Sequence, residues 1–230
     1  MNYTVIILIC VVLLLIYLLY KYISSTQNMA KGLVNLNSEP SVSLAKLNNP
    51  KSLNYYYEFW TFINALPKPT GSAVTYTNIV HRVNDLGVWL GSDNTLVLAI
   101  DSPTANPKNI LFTIIHPYPL QKWVYVVVNV VNHNDKNAFI ECYINGKLVK
   151  TQPNQPLTTY PTGELKIGQS GIKGYITHLL RVPKNIDATT VWNHYVKGNG
   201  ISGVTNFFSQ YHIDMNVTKD QVLQRNVRLL

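Results

Sequence analysis

Asn137-Ala138-Phe139-Ile140-Glu141-Cys142-Tyr143-Ile144-Asn145-Gly146-Lys147-Leu148-Val149 is the stretch that decides the fold. Asn145-Gly146 is a strong two-residue hairpin signal, because a type I′ turn needs positive φ at both central positions. In the strand before it, Ile140, Cys142 and Ile144 share one face and Phe139, Glu141 and Tyr143 the other. One face is apolar and the other mixed. An antiparallel hairpin with an apolar face needs a second layer to cover it.

Outward from this hairpin, the chain from Tyr55 onward reads as short strands. Runs rich in Val, Ile, Tyr and Phe are separated by Gly, Pro, Asn and Asp. Strands are predicted near 55–63, 75–83, 86–91, 95–101, 110–116, 122–131, 138–145, 147–151, 164–168 and 173–182, with another near 206–217. One short helix is predicted over 187–196, capped by Asp187 and stopped by Gly198 and Gly200. Val191, Trp192, Tyr195 and Val196 supply its apolar stripe. Many strands, two faces to cover and few helices imply a mainly β, antiparallel two-sheet sandwich.

The other decisive segment is Tyr3 to Tyr20, YTVIILICVVLLLIYLLY, which carries no charge. Its length at 1.5 Å per residue crosses most of a hydrocarbon core of about 30 Å. Tyr17, Tyr20 and Tyr22 gather beside Lys21, as an interfacial belt does. A basic n-region and an A-x-A cleavage site are missing, so the segment reads as an uncleaved transmembrane anchor rather than a signal peptide. Lys21, Lys31, Lys46 and Lys51 all follow the span, which places the C-terminal part on the cytosolic side. Cys142 has no second cysteine within the domain, which suits a reducing compartment; the sequon Asn216-Val217-Thr218 points the other way. The expected organisation is a transmembrane anchor over 1–23, a Ser/Asn/Pro-rich linker over 24–54, a sandwich domain over 55–205, and a C-terminal strand and tail over 206–230.

The 230 residues are 47% hydrophobic and 13% charged, which excludes a disordered chain. Two cysteines exclude a disulfide scaffold and a cysteine-only zinc cluster. The net charge is +8, yet no run of adjacent Lys or Arg occurs, so nucleic acid is not an expected partner.

Several segments in order resemble a known family. These are Leu120-Gln121-Lys122-Trp123-Val124-Tyr125-Val126-Val127-Val128, then Tyr143-Ile144-Asn145-Gly146-Lys147-Leu148, then Leu165-Lys166-Ile167-Gly168, then Gly174-Tyr175-Ile176-Thr177-His178-Leu179-Leu180-Arg181, followed by the helix with Trp192 and Tyr195. The succession is similar to the concanavalin A-like, laminin G-type jelly roll over about residues 55–200. It implies a jelly-roll sandwich with one short helix. Trp123 is expected to pack between the sheets, and Gly168 and Gly174 to allow bends or close backbone approach. The anchor-plus-domain layout also resembles virion membrane or minor capsid proteins of large DNA viruses. That likeness implies a structural, protein-contacting role, in or beside a virion's inner membrane.

No catalytic, cofactor-binding or metal-ligating residue is assigned. Family members with glycosidase activity carry an E-x-D-x-x-E strand, and none occurs here. Glycoside hydrolysis needs two carboxyls about 5–9.5 Å apart; Glu58 and Glu141, both in strands, are the nearest to candidates and read first as solvent-face residues. The resemblance implies a rim calcium site, for which Asp85, Asp93, Asp101 and Asp135 are the available acids, without the Asp-rich loop calcium prefers. His81, His116, His133, His178, His194 and His212 show no metal-ligand spacing. Ser170 in Gly168-Gln169-Ser170-Gly171 is no nucleophile elbow. Tyr55-Tyr56-Tyr57 and Phe59-Trp60-Thr61-Phe62 put rings on both faces of one strand, of which one is core and the other is covered by neighbouring sheet, a protein or a sugar. The functional expectation is a non-enzymatic, membrane-anchored interaction protein. Carbohydrate binding is the alternative and glycoside hydrolysis the third possibility.

Overall fold

The computed structural model describes residues 3–24, 28–30, 32–69, 71–82, 85–100, 109–133, 137–155, 163–199, 213–219 and 222–229. In chain order the elements are α1 (Tyr3–Ser24), β1 (Asn28–Ala30), β2 (Val34–Asn35), β3 (Ser41–Val42), β4 (Tyr55–Ala65), β5 (Tyr76–Arg82), β6 (Leu86–Gly91), β7 (Leu96–Ile100), β8 (Asn109–Ile115), β9 (Trp123–His133), β10 (Asn137–Ile144), β11 (Lys147–Gln155), β12 (Leu165–Ile167), β13 (Lys173–Val182), α2 (Ala188–Val196), β14 (Ile213–Lys219) and β15 (Val222–Leu229).

The strands form two main antiparallel sheets. One runs β1-β13-β4-β9-β10-β11, with β2 also on β13; the other runs β3-β12-β5-β6-β7-β8. Strands distant in sequence lie side by side, as a jelly roll requires. The core sits between the sheets. Tyr55, Tyr57, Phe59 and Ile63 of β4, Val124, Val126, Val128 and Val130 of β9, and Ile140, Cys142 and Ile144 of β10 all point into it. They meet Ile79, Val88, Leu90, Leu96, Leu98 and Phe112 from the other sheet. Alternation along each strand is what sorts these residues inward. Asn145 and Gly146 take φ of 50° and 77°, as the predicted turn requires.

The outer face of the first sheet departs from expectation. Tyr56, Trp60, Tyr125, Val127, Tyr143 and Val182 make a second apolar cluster with Ile186 and Val191. The cover is α2, not neighbouring sheet. Asp187 caps α2, its carboxylate accepting from Thr190 N at 2.9 Å and Thr190 Oγ1 at 2.6 Å. Trp123 belongs here too: it packs on Phe62 at 5.6 Å between ring centroids, on the outer face rather than between the sheets. The parity of β9 sends Val124, Val126, Val128 and Val130 inward and Trp123, Tyr125 and Val127 outward.

Residues 34–54 are not a free linker. Leu36 is fully buried and Leu47 is 5% exposed, both in the main core. Arg181 and Arg82, each buried, donate to carbonyls of this segment: Arg181 to those of Asn48, Asn49, Pro50 and Ser52, and Arg82 to that of Pro50 at 2.8 Å. The segment is held in two ways: the Leu36 and Leu47 side chains enter the core, and the backbone oxygens of 48–52 accept from the arginines. The C-terminal part also differs from expectation: β14 and β15 form a hairpin, while the predicted strand start at 206 lies outside the described residues.

The predicted N-terminal helix is present as α1, and its described side chains, Leu8 to Leu18, are all exposed. Among the described residues no helix is long and apolar enough to cross a membrane.

On the second sheet's outer face, His81 stacks on Trp89 at 5.2 Å. Burial, with Lys166 nearby, lowers the His81 pKa from 6.5 to about 4. The unfolded chain therefore binds a proton between pH 6.5 and 4 that the folded chain refuses. This contribution is fully present above pH 6.5 and is lost as pH falls through the folded value. His81→Phe should remove about 2 kcal/mol of acid sensitivity across that window, read as the difference between urea-unfolding free energies at pH 7 and pH 4.5. Equal pH slopes for the variant and the parent would contradict it.

Candidate functional site

Glu58 is the residue around which the outer face is organised. Alternation on β4 turns it outward with Tyr56 and Trp60, yet it is only 1% exposed. Its Oε2 accepts from the Tyr125 hydroxyl at 2.7 Å, and Nδ1 of His194 lies at 2.7 Å from the same oxygen. Tyr125 reaches it from β9, two positions from Val127, which pairs with Glu58. His194 reaches it from α2. The carboxylate therefore ties the helix to the sheet. Burial, and then the Glu58 charge beside it, pushes the Tyr125 hydroxyl far above its ordinary pKa, so it stays a donor.

Beside this triad lies a cleft of about 300 Å³ lined by Glu58, Trp60, Tyr125, His178, Leu180, His194, Lys197 and Gly198. Behind it, Tyr195 of α2 stacks on Trp60 at 5.7 Å between ring centroids. His178 enters from β13 at an irregularity between Thr177 and Leu180, with φ of 53°. The arrangement combines a carboxylate, two imidazoles, an ammonium and aromatic rings. It can exchange hydrogen bonds with a polyhydroxylated or zwitterionic group.

Glu141 is half-buried on the same face. Its Oε2 accepts from Asn129 Nδ2 at 2.9 Å and from the Tyr143 hydroxyl at 3.0 Å. The two acids are two strands apart and offset by two residues, since Glu58 pairs with Val127 and Glu141 with Asn129. That places their backbones on the order of 12 Å apart. Neither is a free solvent-face carboxylate. Removing Glu58 leaves a buried Tyr125 hydroxyl without an acceptor, so Glu58→Ala should cost about 1–3 kcal/mol. Glu141→Ala should cost under about 1 kcal/mol, because Asn129 also donates to the Ile186 carbonyl. Denaturant unfolding of both variants tests the order; equal losses would contradict it.

Of the four aspartates, Asp85 and Asp93 are described, and they do not form a rim site. Asp85 is buried, 5% exposed, bonded to Tyr55 at 2.5 Å and beside Arg82 at 3.9 Å. It is a core residue, not a calcium ligand in waiting. Asp93 accepts from Thr95 N at 3.1 Å within its own turn. Asp101 and Asp135 lie outside the described residues, as do Gly200 and His212. Among the described residues no group of three His, Cys, Asp or Glu could hold a metal ion. Ser170 donates its backbone N–H to Glu39 and takes no part in the cleft. Sequence reasoning read Glu58 first as a solvent-face residue and missed His194 as its partner. The two are 136 residues apart and nothing local joins them.

Among curated proteins nothing matches the chain. Solved structures do. The binding domain of botulinum neurotoxin DC in complex with rat synaptotagmin II superposes with a TM-score of 0.50 at 19% identity, over 68% of this chain and 38% of that one. The binding domain of Paraclostridial Mosquitocidal Protein 1 gives a TM-score of 0.51 at 12% identity, over 73% and 46%. The botulinum neurotoxin serotype C1 binding domain gives 0.50 at 19%, over 68% and 39%. This chain spans less than half the length of each. At these identities the likeness is one of fold. A laminin G-type family model matches residues 36–201, a range that begins within the segment the arginines clamp and runs past α2. With that match and this sandwich, the chain belongs to the concanavalin A-like lectin/glucanases superfamily.

Proposed function

We propose that the protein is a membrane-anchored interaction module without catalytic activity. α1 is held in a bilayer and the sandwich contacts other proteins. The observation that carries this is α1 itself: a 22-residue helix whose only charge is Lys21, with every described side chain exposed. An apolar helix whose described side chains are all exposed needs an apolar surrounding. Positive residues after the helix favour a cytosolic C-terminal domain. A virion shell beside its inner membrane, in a large DNA virus, is the setting that the layout resembles. The fold is compatible with protein contact, since one toxin binding domain of this fold is complexed with synaptotagmin II. Alkaline carbonate extraction of membranes or virions containing the full chain tests the anchor. Retention in the pellet is the expected result, and release would end the reading. Crosslinking in the same membranes tests protein contact; a chain that crosslinks only to itself or to nothing would end that part.

The cleft favours carbohydrate binding as the second reading, because carboxylate, imidazole and ammonium groups sit beside aromatic rings. A glycan array probed with and without calcium decides it: a signal lost in Glu58→Ala supports it, and flat signals remove it. The offset of Glu58 and Glu141, each already engaged by neighbours, weighs against glycoside hydrolysis.

A further inference from the structure

The connection between α1 and the sandwich is short enough to orient the domain. α1 ends at Ser24 and β1 begins at Asn28. Four Cα steps reach at most about 14 Å. β1 is the edge strand of its sheet, with Asn28 opposite Leu180 of β13, and Leu180 in turn opposite Glu58 of β4. Leu180 lines the cleft together with His178, His194 and Lys197. The strand that the anchor must reach is therefore two strands from Glu58 and the cleft it lines.

We propose that the β1 edge of the sandwich, with the mouth of the Glu58 cleft, faces the headgroup layer of the bilayer that holds α1. This rests on the anchor reading of α1. The chemistry fits a phosphate-bearing surface. Lys197 is exposed at the C-terminal end of α2, and His178 and His194 are part-exposed beside it. The one acid in the cleft, Glu58, is 1% exposed and engaged by Tyr125 and His194. Lys21 and Tyr22 stand at the end of α1 nearest the domain, where an interfacial belt belongs. The opposite edge, β11, lies five strands from β1, about 24 Å farther out. On β8, which lies beside β11 in the second sheet, Ile110 is 42% exposed and falls on that far side.

The test uses the full chain in phosphatidylcholine vesicles, with single thiol-linked fluorophores and nitroxide lipids. Cys142 is fully buried, and burial holds its thiol protonated, so it stays unlabelled. Native Cys10 reports on α1. Lys197→Cys and Ile110→Cys, each in a Cys10→Ser background, report on the two edges. Headgroup nitroxides should at least halve the fluorescence at position 197 and leave that at 110 unchanged. Equal quenching at both sites, or none at either while acyl-chain nitroxides quench the Cys10 label, would overturn the orientation and leave the anchor standing. An unquenched Cys10 label would overturn the anchor and the orientation with it.

Discussion

Asp85→Ala is expected to lower the folding free energy by about 3–5 kcal/mol, the cost of breaking a buried ionic network by removing one partner. Arg82 and Arg181 are 0% and 2% exposed, and Arg181 stands over the Tyr55 ring at 4.5 Å. Asp85 is the acid among them. It accepts from Tyr55 at 2.5 Å and from Tyr57 at 3.5 Å, and lies 3.9 Å from Arg82. Burial raises its pKa, and the Tyr55 hydrogen bond is the largest effect opposing that rise, because it favours the ionised form. Alanine would remove the buried carboxylate beside Arg82 and leave the Tyr55 hydroxyl without its acceptor. The carbonyls of 48–52 solvate the arginines, so the damage should spread to that segment. Equilibrium urea unfolding measures the loss, and proteolysis within 48–54 measures the spread. Asp85→Asn keeps an acceptor for Tyr55 and should lose less. A loss below about 1 kcal/mol for Asp85→Ala would show that the network does not hold this part of the core.

Gly168→Ala should cost about 3 kcal/mol or more, for two reasons that add. Gly168 has φ of +75°, which an alanine adopts at a cost of about 1–2 kcal/mol. An alanine Cβ would also stand 1.8 Å from the Leu36 carbonyl oxygen and 2.5 Å from its carbon. Backbone must move to relieve that contact. Leu36 is fully buried and Gly168 is held on its other side, its N–H donating to Ile79 O at 2.9 Å and its carbonyl accepting from Asn78 Nδ2 at 2.8 Å. Gly171 is the internal control. Its φ is +91° with nothing within 4 Å of a built Cβ, so Gly171→Ala should carry only the dihedral penalty. Thermal and urea unfolding of the pair separate the two effects. Equal losses would show that the Leu36 approach is not close.

The hairpin was legible because its determinants are local. Asn145-Gly146 adopts positive φ at both positions, and the alternation before it sends Ile140, Cys142 and Ile144 into the core. The Asp187 cap and the α2 stripe were legible for the same reason. Trp123 was assigned to the wrong face because both faces of the central strands are apolar. Alternation separates the faces without saying which one a second sheet covers and which a helix covers. The composition of 24–54 is that of a linker, yet from residue 34 onward the segment is fixed to the sandwich. What fixes it is Arg181, more than a hundred residues downstream, donating to its carbonyls, and backbone oxygens leave no mark in a sequence.

By itself, then, the sequence determined the elements that short-range chemistry controls: turns, caps, strand alternation, and a first helix with no polar face. It assigned no site residue, and Glu58 and Glu141 read first as solvent-face carboxylates. Only the tertiary structure decided what Glu58 does. Burial beneath α2 turns an outward strand carboxylate into the acceptor for Tyr125 and His194 and places it beside a cleft. The physical reason is that a charge's environment is set by groups brought together through folding, at separations of 67 and 136 residues, which no local pattern encodes.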